Sequence, residues 1–498
     1  MTLLPIPLYS AAQVRELDRR AIEVHGIAGE ELMARAGVAA FRVLRERFPH
    51  ARRVAIVCGA GNNGGDGYVI ARLAKEAGLE THVFTVGTPR DQGTAAQMRA
   101  RCRNAGIKAR PLDGSLGEAD VVVDALLGTG LERPVEGEWC AAIESMNESG
   151  RPILAVDVPS GINADTGAVM GAAVRAHLTV SFIGMKAGLC TADGLDHSGE
   201  VLFDDLGVPG SVYEGVVPIA QRLATQTLRG LLPRRPRNAN KGKFGHVLVI
   251  GGGRGMPGAV RLCGEAALRA GAGLVTLATH PWHAASINIG RPELLAFGVR
   301  GARDLEPLFE RANVVALGPG LSKDAWARTM WRAALNCRLP LVVDADALNL
   351  LALAKPVRRP DWILTPHPGE AARLLKTTPQ AIQRDRFAAA RRLVERYGGV
   401  CVLKGAGTLV AHADATWLCD RGNPGMASGG TGDVLTGMIA ALHAQGLSAI
   451  DAARLGVCVH GAAGDNAAAE GEAGMLASDL YPYIRRGLNR IAHGDVDF

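Results

Sequence analysis

Two glycine-rich runs hold the residues of this sequence best placed to do chemistry. In NPGMASGGTGDVLTG, residues 423–437, the carboxylate of Asp433 follows Gly432 where an apolar helical pattern begins. N–H groups at a helix start stabilise the charge of a transferring phosphoryl group. A carboxylate beside them can take the proton of the hydroxyl being phosphorylated. Capping the helix is the plain alternative for Asp433, and the glycines just before it favour the catalytic one. The second run, GNNGGDG within residues 59–67, leads from an apolar strand pattern into a helix. That layout aims backbone N–H groups at an anion. It is neither the GxGxxG fingerprint nor a phosphate loop with a lysine. Asn62 and Asn63 add amides, and Asp66 adds a carboxylate or a helix cap.

Further polar groups fall at the ends of predicted strands, the edge where open α/β sheets bind ligands. Asp124 lies in VVVDALLGTGLERPVEG and is followed by the loop of residues 128–134; Asp157 and Ser160 lie in AVDVPSGINADTG. Oxygens of Asn63, Asp124 and Ser160 suit a hard cation, and Asp157 suits proton transfer. In the second half, KGAGT (Lys404, Gly405, Ala406, Gly407, Thr408) follows a buried strand and offers a lysine and amides to phosphates. VIGGGRGMPGA, ending at Ala259, is another strand–glycine–helix unit; LGPGL, containing Gly320, and TPHPGE, containing His367, end two more strands. Asp344 and Asp346 in DADALN either serve a metal or close their strand.

The elements that must position these groups repeat a strand–helix alternation, which predicts parallel sheets covered on both faces. Ser10 and Gln13 form a predicted capping box opening a helix through Val14, Leu17 and Ile22, and a second helix spans about residues 30–48. Strands are predicted at 54–58, 82–86, 121–124, 153–157 and 178–182, then at 246–250, 274–278, 314–317, 341–343, 362–364 and 400–403. Helices close the chain around 433–445 and 450–470. Prolines 209, 218, 233 and 236 interrupt the rhythm, so two domains are expected, residues 1–220 and 225–498.

With 498 residues, 48% hydrophobic and 21% charged, the chain can bury sizeable cores. Its net charge of +6 favours anionic small molecules and falls short of a nucleic-acid binder. The basic run Arg234, Arg235, Arg237, Lys241 and Lys243 is either a solvated linker or a phosphate-facing edge. Nine dispersed cysteines, no signal-peptide pattern and no long apolar stretch predict a reduced cytoplasmic protein outside the membrane.

GNNGGDG, DALLGTGLERP and DVPSGINADTG, taken in order, resemble the NAD(P)H-hydrate epimerase domain over roughly residues 8–215. The resemblance implies a Rossmann-like three-layer fold that interconverts the R and S forms of nicotinamide hydrated at ring carbon 6. It also implies substrate contacts from Asn62, Asn63, Gly64, Gly65 and Asp66, from Gly128, Thr129, Gly130, Leu131, Glu132, Arg133 and Pro134, and from Asp157. Potassium would be held by Asn63, Asp124 and Ser160. KGKFGHVLVIGG, TPHPGE, VLKGAGT and GTGDVLTG resemble the NAD(P)H-hydrate dehydratase domain, of ribokinase-like α/β fold, over roughly residues 225–490. That resemblance implies phosphorylation of the ring hydroxyl by ADP or ATP with Mg²⁺, then loss of phosphate. Residues 404–408 and Gly432 would bind the adenine nucleotide; Ala259, Gly320, His367 and Asp433 would touch the hydrated cofactor.

The expected partners are therefore small molecules, and the expected assembly is a homo-oligomer. Two rival readings stand beside this one: a ribokinase-like kinase for a vitamin alcohol or sugar, and a first domain that is a non-catalytic scaffold, an RNA-associated or oligomerisation module. TPHPGE and KGAGT speak against the first; Asp157 and the asparagine pair speak against the second.

Overall fold

The computed structural model describes residues 4–495, which fall into two compact units divided between Gln221 and Arg222. In the first unit β1 (Pro7–Leu8) pairs antiparallel with β9 (Ala220–Arg222). Between them run β2 (Arg53–Cys58), β3 (Glu80–Thr85), β4 (Ala109–Pro111), β5 (Val121–Ala125), β6 (Ile153–Val156), β7 (Leu178–Phe182) and β8 (Glu200–Asp204). These seven form a parallel sheet in the order β4-β3-β2-β5-β6-β7-β8. Alternate residues of β2 serve opposite faces: Val54, Ile56 and Cys58 join one core, Ala55 and Val57 the other. The sheet is thus the middle of three layers, which is why its strands read as unbroken apolar runs.

The predicted capping box is present, Ser10 Oγ accepting from Gln13 N at 3.2 Å. Val14 and Leu17 are buried as the helical period requires, whereas Ile22 is 39% exposed and Ala21 takes the inward position.

The second unit carries β10 (His246–Ile250), β11 (Leu274–Thr279), β12 (Leu295–Gly298), β13 (Val314–Leu317), β14 (Leu341–Val343), β15 (Trp362–Leu364), β16 (Val400–Leu403), β17 (Thr408–His412) and β18 (Ala415–Cys419). Their order is β12-β11-β10-β13-β14-β15-β16-β17-β18. Pairing is parallel through β16, then antiparallel to β17 and β18. Helices Pro257–Arg269, Thr431–Ala444 and Ala449–Ala467 bury apolar faces in one core with Val247, Val249 and Val275. Seven of the nine cysteines are buried. Among the described residues, no helix is long and apolar enough to cross a membrane.

Candidate active sites

Strand order in the first unit reverses between β2 and β5, the crevice where parallel sheets hold ligands. The loop after β2 feeds helix Asn62–Glu76, which starts behind Gly61 without a side-chain cap. Asp66 therefore sits a full turn inside the helix, and the capping alternative falls. The loop can lie against the one after β5 only because residue 59 is glycine: a Cβ there would stand 1.8 Å from the Leu126 carbonyl oxygen.

Asn63, Asp124 and Ser160 converge in this crevice. Asn63 Nδ2 donates to the Leu127 carbonyl at 2.8 Å, while its Oδ1 is buried without a hydrogen-bond partner. Asp124 is fully buried; its Oδ1 accepts from Ser160 Oγ at 2.6 Å and its Oδ2 from Ser160 N at 2.8 Å. Burial pushes its carboxyl up to about 6 against the pull of those bonds. An orphan amide oxygen, a buried carboxylate, a hydroxyl and the Leu127 carbonyl form an all-oxygen set, the chemistry a hard cation takes.

Asp157, just past β6, holds a left-handed backbone (φ 68°), a cost of roughly 1–3 kcal/mol for a non-glycine residue. Its carboxylate is fixed by the ammonium of Lys186, which also donates to the Phe182 carbonyl at 2.8 Å, and by Phe182 N at 3.3 Å. Lys186 is 1% exposed. Asp18 and Asp66 complete the cluster. Burial pushes Asp18 up to about 6 and Asp66 well above its ordinary range; Asp157 adds repulsion and Lys186 opposes both shifts. The loop of residues 128–134 borders the crevice and is largely exposed, with Gly128 facing Asn63 (a Cβ there would lie 3.4 Å from Asn63 Cβ).

In the second unit the order reverses between β10 and β13. The loops following them are bound together, Gly252 N donating to Pro319 O at 3.0 Å and Gly253 N to Gly320 O at 2.7 Å. Gly320 (φ 56°) and Ala259 meet there: a Cβ on Gly320 would be 3.0 Å from Ala259 Cβ.

Asp433 lies in the first turn of helix Thr431–Ala444, but the cap position is Gly430 with φ 100°. The half-buried carboxylate is pushed up to about 7 by burial, with Asp344, Glu370 and Asp346 adding repulsion and Lys404 opposing. Lys404 Nζ donates to Asp344 Oδ1 at 2.6 Å, and Thr436 Oγ1 to Asp344 Oδ2 at 2.7 Å. Burial pulls the Lys404 ammonium down, yet Asp344, Glu370 and Asp433 lift it above its ordinary value, so it stays charged. A Cβ on Gly432 would lie 3.2 Å from Lys404 Nζ, which joins the glycine turn to the KGAGT loop. His367 caps helix Pro368–Leu375, its Nδ1 accepting from Gly369 N at 3.0 Å. That leaves Nε2, 3.4 Å from Glu370 Oε1, as the free edge of an exposed ring.

Asp346 accepts from Ser322 N at 2.9 Å and from Asn349 Nδ2 at 3.3 Å. Both aspartates of DADALN are thus occupied inside the fold, and no cluster of three or more His, Cys, Asp or Glu able to hold a metal occurs among the described residues.

Four functional-looking residues escaped sequence reasoning. Lys186 had a signal, a single lysine inside the apolar run SFIGMKAGLC, which demands a buried acid partner. Asp18 and Glu370 look like ordinary helix carboxylates. Arg386, fully buried, donates to the carbonyls of Leu403, Lys404 and Gly407 at 3.1, 3.2 and 3.4 Å and so sets the shape of the KGAGT loop. Nothing separates it in sequence from its many arginine neighbours.

Comparisons with known proteins give the family. The sequence model of the NAD(P)H-hydrate dehydratase family matches residues 247–486, and that of the YjeF-related protein N-terminus matches residues 29–188. The chain is 49% identical over 482 residues to the bifunctional NAD(P)H-hydrate repair enzyme Nnr of Coxiella burnetii, covering 96% of this chain and 98% of the relative. It is 45% identical to the enzyme of the same name from Escherichia coli K12, covering 98% and 95%. A solved ribokinase-like superfamily protein of Enterococcus faecalis aligns with 54% of this chain and 96% of its own, at 29% identity and TM-score 0.50. A Rossmann-like unit with its Asp157–Lys186 pair, a ribokinase-like unit with Asp433 at its glycine turn, and relatives matched nearly end to end lead to one assignment: the chain belongs to the family of bifunctional NAD(P)H-hydrate repair enzymes.

Proposed function

We propose that the first unit epimerises NAD(P)H hydrates and the second dehydrates the S form back to NAD(P)H, with ADP or ATP as phosphoryl donor. The observation that carries this reading is Asp433, held up to about 7 beside the charged Lys404 and the glycine-lined start of a helix. A general base works best when its pKa is near the ambient pH.

In the second unit Asp433 takes the proton of the C6 hydroxyl as that oxygen attacks the terminal phosphorus of the nucleotide. The bond to the nucleotide's bridging oxygen breaks, releasing AMP from ADP or ADP from ATP. Phosphate then leaves C6 while a proton leaves C5, restoring the ring double bond. Lys404 and the helix N-terminus stabilise the charge on the transferring group. Residues 404–408 and Gly432 cradle the nucleotide, and Ala259, Gly320 and His367 face the hydrated ring. Mg²⁺ keeps much of its water shell and is commonly carried by substrate phosphates, so it enters with the nucleotide.

In the first unit the hydrated carbon bears both the ring nitrogen and a hydroxyl. Asp157, fixed by Lys186, accepts the hydroxyl proton; the C6–N bond opens to an aldehyde, the nitrogen takes up a proton, and closure from the other face inverts C6. Residues 62–66 and 128–134 bind the dinucleotide. Asn63, Asp124 and Ser160 would hold potassium, which supplies a fixed positive charge for the substrate's diphosphate.

The expected setting is a cytoplasmic homo-oligomer. The function is tested by offering ADP or ATP with resolved S hydrate and, separately, with a panel of vitamin alcohols and sugars. Stoichiometric NADH and inorganic phosphate support it; a stable phosphorylated product of another alcohol, with no NADH, supports the kinase alternative.

A further inference from the structure

We propose that the second unit has an additional anion site, remote from its active site, for a small molecule carrying two phosphates. A cavity of about 780 Å³ lies where the chain enters β10 and β11, bounded by Lys243 and Phe244 before one strand and Ala270 and Gly271 before the other. The catalytic loops leave the opposite, carboxyl ends of these strands. Its volume is within the roughly 300–1,000 Å³ of small-molecule sites.

Six permanent cations line it (Arg234, Arg235, Lys243, Arg269, Arg291 and Arg485) against the carboxylates of Glu265 and Glu293. The excess of four is large for a chain whose whole net charge is +6. Helices can account for part of it. Three helices end on the cavity, at Ala270, Gln445 and His493. Each C-terminus contributes about half a negative charge. Together they offset about 1.5 of the four, which leaves a surplus of about 2.5 with no carboxylate partner among the described residues.

Local contacts agree. Among the described residues only Arg291 of the six has a carboxylate partner, Glu265, and Arg291 Nε is buried with no hydrogen-bond partner there. Arg235 lies over the Phe244 ring at 3.7 Å and donates to Gln445 Oε1 at 3.0 Å and to the Gly271 carbonyl, so its guanidinium is fixed in place without a counter-ion. Arg234 reaches only the His493 carbonyl, at 3.4 Å. Lys243, Arg269 and Arg485 form no ion pair among the described residues. Fixed guanidinium forks suit phosphate oxygens, and a surplus between two and three matches a diphosphate rather than a single phosphate. Arg234, Arg235 and Lys243 of the basic run thereby form a phosphate-facing edge.

Hydrogen exchange of the full chain with inorganic pyrophosphate as probe tests this, using wild type, Arg485→Ser and Arg269→Ser/Arg485→Ser. The expected result is protection of residues 232–244 and 485–493 at micromolar to millimolar pyrophosphate, on the order of tenfold weaker in the double variant, with dehydration of the S hydrate unchanged. Arg485 is exposed, so the single variant keeps the test valid where the double variant does not fold. Protection confined to residues 404–408 and 429–433 overturns the site. So does equal protection by sulfate at matched ionic strength, or by pyrophosphate in the folded variants.

Discussion

Lys404 Nζ donates to Asp344 Oδ1 at 2.6 Å, and through Asp344 Oδ2 the same carboxylate holds Thr436 on the helix that carries Asp433. One buried carboxylate thus ties the KGAGT loop, a strand end and the helix of Asp433 together. Removing one partner of a buried pair leaves an uncompensated charge, a loss of about 3–5 kcal/mol. Asp344→Ala is expected to lower unfolding stability by that order and to weaken ADP binding, with urea melts and calorimetry as the checks. Asp344→Asn keeps the Thr436 contact and loses less.

The pH dependence of dehydration follows from Asp433. Its folded carboxyl sits near 7 because burial favours the neutral acid. The base form is the ionised one, so kcat/KM for the S hydrate rises with pH through about 7 and levels off above it. Asp433→Asn is expected to remove this limb and about 10²–10⁴ of the rate while nucleotide binding persists. Stability moves the other way. A carboxyl raised above its unfolded value binds more protons folded than unfolded between about 4 and 7, so folding stability falls as pH rises there. Asp433→Asn should therefore melt higher than wild type above pH 7, which thermal scans at two pH values will show.

Potassium should stabilise the first unit. Replacing choline chloride with KCl is expected to raise its melting temperature, more above pH 6 than below, because protons compete for Asp124 below about 6. Asn63→Ala and Asp124→Asn should each abolish the difference.

Lys186 neutralises Asp157 and opposes the upward shifts of Asp18 and Asp66. Lys186→Met is expected to slow epimerisation by about 10² or more and leave dehydration of resolved S hydrate intact. Chromatographic separation of the two epimers over time measures it. Equal loss of both activities would assign Lys186 to folding alone.

The parallel strands and the glycine loops were legible because their signals are local: apolar runs of a few residues, then a turn that only glycine permits. The helix caps at Asp66 and Asp433 were a real ambiguity that only the backbone resolves, since the caps are Gly61 and Gly430. The short strand β4, Ala-Arg-Pro, is exposed throughout and carries no apolar run, while β12, Leu-Ala-Phe-Gly, is apolar but too short and too exposed to read as a buried strand. Asp18, Lys186, Glu370 and Arg386 each act on at least one group 15 or more positions away in the chain, brought together by sheet order rather than spacing.

The central claim, two activities in series on one chain, is tested most directly by the near-ultraviolet absorbance of the dihydronicotinamide ring during incubation of mixed NADH hydrate epimers with ADP, Mg²⁺ and K⁺. Wild type should restore NADH from the whole mixture. Asp157→Asn should stop at the S fraction and then creep at the spontaneous epimerisation rate, and Asp433→Asn should restore NADH about 10²–10⁴ times more slowly than wild type. Full recovery at the wild-type rate by either variant would contradict the account.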